Sequence, residues 1–135
     1  MAHEVLTIIG VGGMGHAIAR RLGAGKTVLL ADHNETALAS VAESLSAEGH
    51  HVDRRVVDVS SPESVRALAE HAAALGGVTR VAHTAGLSPS QARAEAILAV
   101  DLLGVALVLD AFGEIVAPGG AGVVIASMAG HMFPR

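Results

Sequence analysis

The sequence predicts an α/β fold: an open, doubly wound parallel sheet of about five strands in the order 3-2-1-4-5, with helices on both faces. Three observations predict it. Apolar runs of strand length alternate with helix-period segments from one end of the 135 residues to the other. Those runs are apolar on both faces, as strands of a covered parallel sheet must be. No repeat, low-complexity tract or linker divides the chain, so residues 1–135 are expected to form one domain around one core.

The elements follow in order. VLTIIG (5–10) is the first strand, and TVLLA (27–31), RVVDV (55–59), RVAHTA (80–85) and GVVIAS (122–127) repeat the type. In the first helix Met14, Ile18 and Leu22 form an apolar stripe. Asn34 caps the second, whose inward residues are Leu38, Val41 and Leu45 and which Gly49 stops. Ser61-Pro62 opens the third by the cap-then-proline signal. Val65, Leu68, Ala72 and Leu75 then point inward, and Gly76-Gly77 ends the helix. Ser88-Pro89-Ser90-Gln91 has capping-box spacing and opens either the longest helix or the loop before it. That helix runs to about Val116, where Pro118-Gly119-Gly120 turns the chain.

Composition narrows the function classes. A net charge of −4 leaves no basic surface for nucleic acid, and 51% apolar residues exclude disorder. There is no cysteine, which removes disulfides, thiolate metal sites and thiol nucleophiles and leaves the cytoplasm as the expected location. The apolar run around ILAVDLLGVALVLDAFG is interrupted by Asp101 and Asp110, so no membrane span is expected, and the N-terminus lacks the basic region of a signal peptide. Eight histidines are scattered without ligand spacing, so no metal site is expected. The chain has no tyrosine, and Lys26 is its only lysine.

In IIGVGGMGHAIARRL, Gly10, Gly12 and Gly15 take G-x-G-x-x-G spacing between a strand and a helix, with Gly13 and Met14 inside the turn. Gly10 permits the tight turn, Gly12 lets main chain approach a pyrophosphate, and Gly15 lets the helix pack on the strand. The helix then aims its free N–H groups at the phosphates. Asp32 ends the second strand about twenty residues on, placed to accept hydrogen bonds from both adenosine ribose hydroxyls. The pattern therefore predicts a Rossmann-type fold that binds a dinucleotide. A carboxylate there opposes a 2′-phosphate, which favours NAD over NADP, unless a protonated His33, or Arg20 or Arg21 reaching over, offsets the repulsion.

These landmarks resemble the short-chain dehydrogenase/reductase family over essentially the whole chain. Four stretches carry the resemblance: the glycine turn, which is one residue shorter than the family's usual form; VVDVSSPESV; HTAG at 83–86; and VVIASMAG. The resemblance implies that Asp58 and Val59 line the adenine pocket, that Thr84, Ala85 and Gly86 stand beside the cofactor, and that Ser127 is the catalytic serine. His83 and Thr84 depart from the family's Asn-Asn-Ala-Gly, and Asp101 stands where many members carry an asparagine that holds a relay water.

The implied activity is hydride transfer between a nicotinamide cofactor and an alcohol or ketone. The family's Tyr-x-x-x-Lys pair, which follows the serine, is absent from this chain. The chain is therefore expected to be the cofactor-binding part of such an enzyme, truncated after strand five and inactive alone, with homo-oligomers expected of a full-length relative. A non-catalytic dinucleotide-binding module and an S-adenosylmethionine-dependent methyltransferase are the alternatives. His83 reads as a packed and hydrogen-bonded core histidine, with contact to the cofactor as its alternative role. His131 lies on the expected substrate side without an assigned role.

Overall fold

The protein is described by a computed structural model covering residues 3–87 and 90–132. Five strands, β1 (Glu4–Ile9), β2 (Thr27–Asp32), β3 (His51–Val56), β4 (Gly77–His83) and β5 (Val116–Val124), form one parallel sheet in the order β3-β2-β1-β4-β5. That is the predicted order. Helices α1 (Gly13–Leu22) and α2 (Glu35–Ala47) cover one face, where Leu6, Ile8, Val28 and Leu30 meet Ala19, Leu38 and Leu45. On the other face α3 (Pro62–Leu75) packs beside a second helix, so that Val5, Ile9, Leu29 and Ala31 meet Val65, Leu68, Val108 and Phe112.

That second helix is continuous over Ala94–Ile115. It comprises α4 (Ala94–Leu98), a π-helical segment (Ala99–Gly104) and α5 (Val105–Ile115). Its length and apolar composition suffice to cross a membrane. Here Gly104, Val108 and Phe112 pack inward, while Leu98, Leu102, Leu103 and Leu109 stay exposed. A last short turn, α6 (Ala129–Met132), follows β5.

The caps obey local chemistry. Asn34 accepts the Ala37 N–H at 3.0 Å and Ser61 accepts that of Ser64 at 3.3 Å, each satisfying an amide that the helix leaves unpaired. Gly49 (φ +92°) takes the left-handed conformation after α2.

Three expectations need correction. The third strand spans His51–Val56, not 55–59. It is an edge strand paired only with β2, so solvent supports its polar residues. The buried Val57 and Val59 belong to the connection that follows. The fifth strand begins at Val116, directly after α5. Pro118-Gly119-Gly120 lies within it as a bulge: between Val78↔Val116 and Arg80↔Ala121, β5 carries more residues than β4.

In α1, Met14 and Leu22 are exposed, and the residues facing the sheet are Gly15 and Ala19 with Ile18 half-buried. Close approach to β1 leaves room there only for small side chains. The long helix starts at Ala94 behind Arg93, and Gln91 lies in a turn before it. Ser88 and Pro89, the start of the expected capping box, lie outside the described residues.

Candidate functional site

Because all strands are parallel, their C-terminal ends gather at one edge of the sheet. The segments leaving β1, β2, β3 and β4 there enclose a crevice of about 640 Å³. Gly10 and Gly12 contribute from the first, Asp32 and His33 from the second, Val57 to Val59 from the third and Thr84 to Leu87 from the fourth. Val100 of the π-helical segment closes one side. A parallel sheet whose chain reverses direction at its central strand leaves such an opening between the two outgoing connections.

The glycines divide by task. Gly10 has φ +99°, and a Cβ there would lie 2.6 Å from the Ala85 nitrogen. A side chain is thus excluded by both conformation and space. At Gly15 a Cβ would collide with the Gly10 carbonyl oxygen, so this glycine lets α1 sit on the turn. At Gly12 and Gly13 a Cβ would meet nothing within 4 Å. Their backbone faces open space, and Gly12, the N-cap of α1, supplies no side-chain cap to the first-turn amides. Met14 is exposed and is not among the residues lining the crevice.

Asp32 is held firmly against this turn. Its Oδ2 accepts the Val11 N–H at 2.9 Å, and its Oδ1 accepts the Asn34 N–H at 3.0 Å. The carboxylate, 16% exposed, lies 3.2 Å from Nδ1 of His33, whose own side chain is 79% exposed. Arg20 is not available to this corner: its guanidinium forks onto Glu48, with bonds of 2.7 and 2.8 Å. Arg21 is not among the lining residues either. Asp58 stands across the crevice, and its Oδ1 accepts both the N–H and the hydroxyl of Ser60, at 3.0 and 2.6 Å. Val59, 7% exposed, lines the same wall and packs against Gly104, where a Cβ would lie 2.9 Å from Val59 Cγ2.

The segment after β4 forms the floor. Thr84 donates its hydroxyl to the Gly10 carbonyl at 2.8 Å and its N–H to the Ile9 carbonyl at 2.7 Å, and the Ala85 N–H joins the same carbonyl at 3.0 Å. The glycine turn and HTAG are therefore one bonded unit. Asp101, on the π-helical segment, accepts the Leu87 N–H at 2.8 Å and lies within 3.4 Å of where a Gly86 Cβ would stand. It anchors the loop that leaves HTAG.

His83 is packed as expected, at 1% exposure, but neither ring nitrogen has a hydrogen-bond partner among the described residues. Burial lowers its pKa below the usual histidine value, partly offset by the Asp101 carboxylate. Ser127 follows β5 by three residues at the same edge of the sheet. It is exposed and is not among the residues lining the crevice. Lys26 precedes β2 at the opposite edge, where it donates to the Leu22 carbonyl.

Sequence reasoning did not select Val57, Leu87 or Val100 as wall residues. Leu87 was within reach, since it adjoins HTAG. Val100 was not, because its position depends on the π-helical register.

The sheet order, the turn after β1 and the acid ending β2 define a doubly wound domain of the Rossmann type. Residues 4–134 match the family model described as short chain dehydrogenase. The chain belongs to the short chain dehydrogenase family.

It is 44% identical over 135 residues to the short-chain dehydrogenase/reductase bsc3 of Alternaria brassicicola, covering all of this chain and 49% of that protein. A short chain dehydrogenase/reductase from Burkholderia phymatum, solved in complex with NAD, superposes with a TM-score of 0.86 at 30% identity, over 98% of this chain and 52% of that one. An alcohol dehydrogenase from the archaeon Thermococcus sibiricus, complexed with 5-hydroxy-NADP, gives 0.78 at 30% identity over 90% and 57%. The chain thus spans about half the length of these relatives.

Proposed function

We propose that this chain is the dinucleotide-binding portion of an NAD(P)-dependent oxidoreductase acting on an alcohol or ketone, with NAD preferred. The observation that carries the proposal is the open backbone at Gly12 and Gly13 beside an Asp32 fixed by the Val11 amide. The open backbone there would let a pyrophosphate approach the main chain. The first-turn amides of α1 would bind its oxygens, Asp32 the adenosine ribose hydroxyls, Asp58 and Val59 the adenine, and Thr84 to Gly86 the middle of the molecule. The bound nicotinamide supplies the hydride chemistry. Asp32 orients the ribose and disfavours a phosphate on it, and Thr84 keeps the floor in place through Gly10. Ser127, at the carboxyl edge of the sheet, is assigned to the substrate oxygen by its place in the family pattern.

Proton transfer is not assigned within these residues. The chain has no tyrosine, and Lys26 stands at the far edge of the sheet. A serine hydroxyl alone is a poor acid or base at neutral pH, so the 135-residue chain should bind cofactor and turn over negligibly. A purely cofactor-binding role for the chain draws on the same observation.

Calorimetric titration with NAD, NADP and S-adenosylmethionine tests the proposal. NAD should bind most tightly, and Asp32→Ala should weaken it by roughly tenfold to a hundredfold, the worth of one or two charge-assisted hydrogen bonds. A folded chain that binds no NAD, or binds S-adenosylmethionine instead, would overturn the assignment.

A further inference from the structure

The walls of the crevice carry an unbalanced set of charges. Among the described lining residues the titratable groups are Asp32, Asp58 and His33, so the imidazole is the only one able to become a cation. Its Nδ1 lies 3.2 Å from Asp32 Oδ1, the carboxylate that would hold the adenosine ribose, while the rest of the ring stands in solvent. The nearby cations are committed or displaced: Arg20 is forked onto Glu48, and Arg54 and Arg55 line a neighbouring cavity together with Glu35. That cavity meets the crevice at Val56, which borders both.

We propose that His33 makes the choice between an unphosphorylated and a 2′-phosphorylated dinucleotide depend on pH at this site. The inference rests on the dinucleotide assignment above. With His33 neutral, a 2′-phosphate faces Asp32 with no compensating charge on the described residues that line the crevice. With His33 protonated, the Asp32 carboxylate is paired, and an exposed N–H of the cationic ring becomes a donor to the phosphate. Histidine is the side chain whose ordinary titration falls between about pH 5 and pH 8, so the exchange is reachable without unfolding. Asp58 and Glu35 act against the phosphate in both states, and Arg54 and Arg55 for it. These four groups are the same in the native chain and in a variant at His33, so comparing the two isolates the contribution of His33.

The test is calorimetric titration of the intact chain with NAD and with NADP at about pH 5.5 and about pH 8, spanning the histidine range. The readout is the ratio of the two dissociation constants. Because a phosphate monoester gains a proton near pH 6, the native chain is compared with His33→Gln, in which that contribution is unchanged. On acidification the ratio of NADP to NAD dissociation constants should fall in the native chain by about twofold to fivefold more than in His33→Gln, as expected for an exposed pair. His33→Arg, permanently cationic, should favour NADP already at the higher pH and lose the histidine-dependent change. His33 is exposed, so thermal melting of both variants should match the native chain. An equal fall in the native chain and His33→Gln overturns the inference and leaves the dinucleotide assignment intact. Failure of the native chain to bind either cofactor overturns both.

Discussion

The two ends of the sheet differ in how completely they are built. Around β1 and β2 every strand residue from Val5 to Ile9 and from Val28 to Ala31 is buried, and helices cover both faces. At β5 most of the strand is exposed, and beside it the long helix turns Leu98, Leu102, Leu103 and Leu109 outward. The difference teaches that the side carrying the glycine turn draws its rigidity from contacts within the described residues, whereas the side carrying Ser127 lacks an apolar cover among them. An apolar face of this kind favours association.

The largest expected effect comes from setting two glycines of one turn against each other. Gly15→Ala places a methyl group on the Gly10 carbonyl and should cost about 3 kcal/mol or more, by strain in a packed contact. At Gly12 an added Cβ meets nothing within 4 Å, so Gly12→Val should cost no more than about 1 kcal/mol, through the poorer N-cap, while abolishing measurable NAD binding. Urea denaturation and calorimetry on both variants separate the tasks. If Gly12→Val unfolds the chain, or binds NAD normally, the division between packing glycine and phosphate glycine is wrong.

A smaller effect should appear at the other end. Leu102→Glu combined with Leu109→Glu changes exposed positions and should leave stability within about 0.5 kcal/mol per site. It should also reduce concentration-dependent association, measured by light scattering across a dilution series. A native chain that is already monodisperse and monomeric at high concentration would remove the contrast between the two ends.

The smallest effect concerns His83, which sits on β4 between them. Its folded pKa is lowered by burial, so the unfolded chain takes up a proton at higher pH than the folded one. Its contribution to stability is therefore full above the ordinary histidine pKa, about 6.5, and is lost as pH falls from there toward the folded value. The melting temperature should drop on acidification through that window. In His83→Leu the proton uptake on unfolding should decrease by up to about one proton. An unchanged slope would mean that other groups carry it.

The sequence exposed the strand order and the glycine turn because both rest on local rules. Apolar continuity marks covered strands, and Gly10, Gly12 and Gly15 are spaced by the geometry of a strand-to-helix turn. The same rule misplaced β3. Being an edge, it tolerates His51 and Arg54, and Val57 and Val59, which looked like strand, are buried in the connection after it. At β5 the Pro118-Gly119-Gly120 signal was read as a turn before the strand, but pairing with β4 extends across it as a bulge. At the site, Asp32 was legible because its separation from the turn is set by one helix and one strand. The tether from Asp101 to Leu87 was not, since it depends on the wider turns of the π-helical segment.

The bond from the Thr84 hydroxyl to the Gly10 carbonyl joins residues 74 apart in sequence. During synthesis on the ribosome, the first strand and helix would emerge long before their floor. The nascent glycine loop could gain its final shape only after the fourth strand had left the exit tunnel and inserted beside the first. Ligand capture would then come late, locking a nearly finished sheet rather than seeding it.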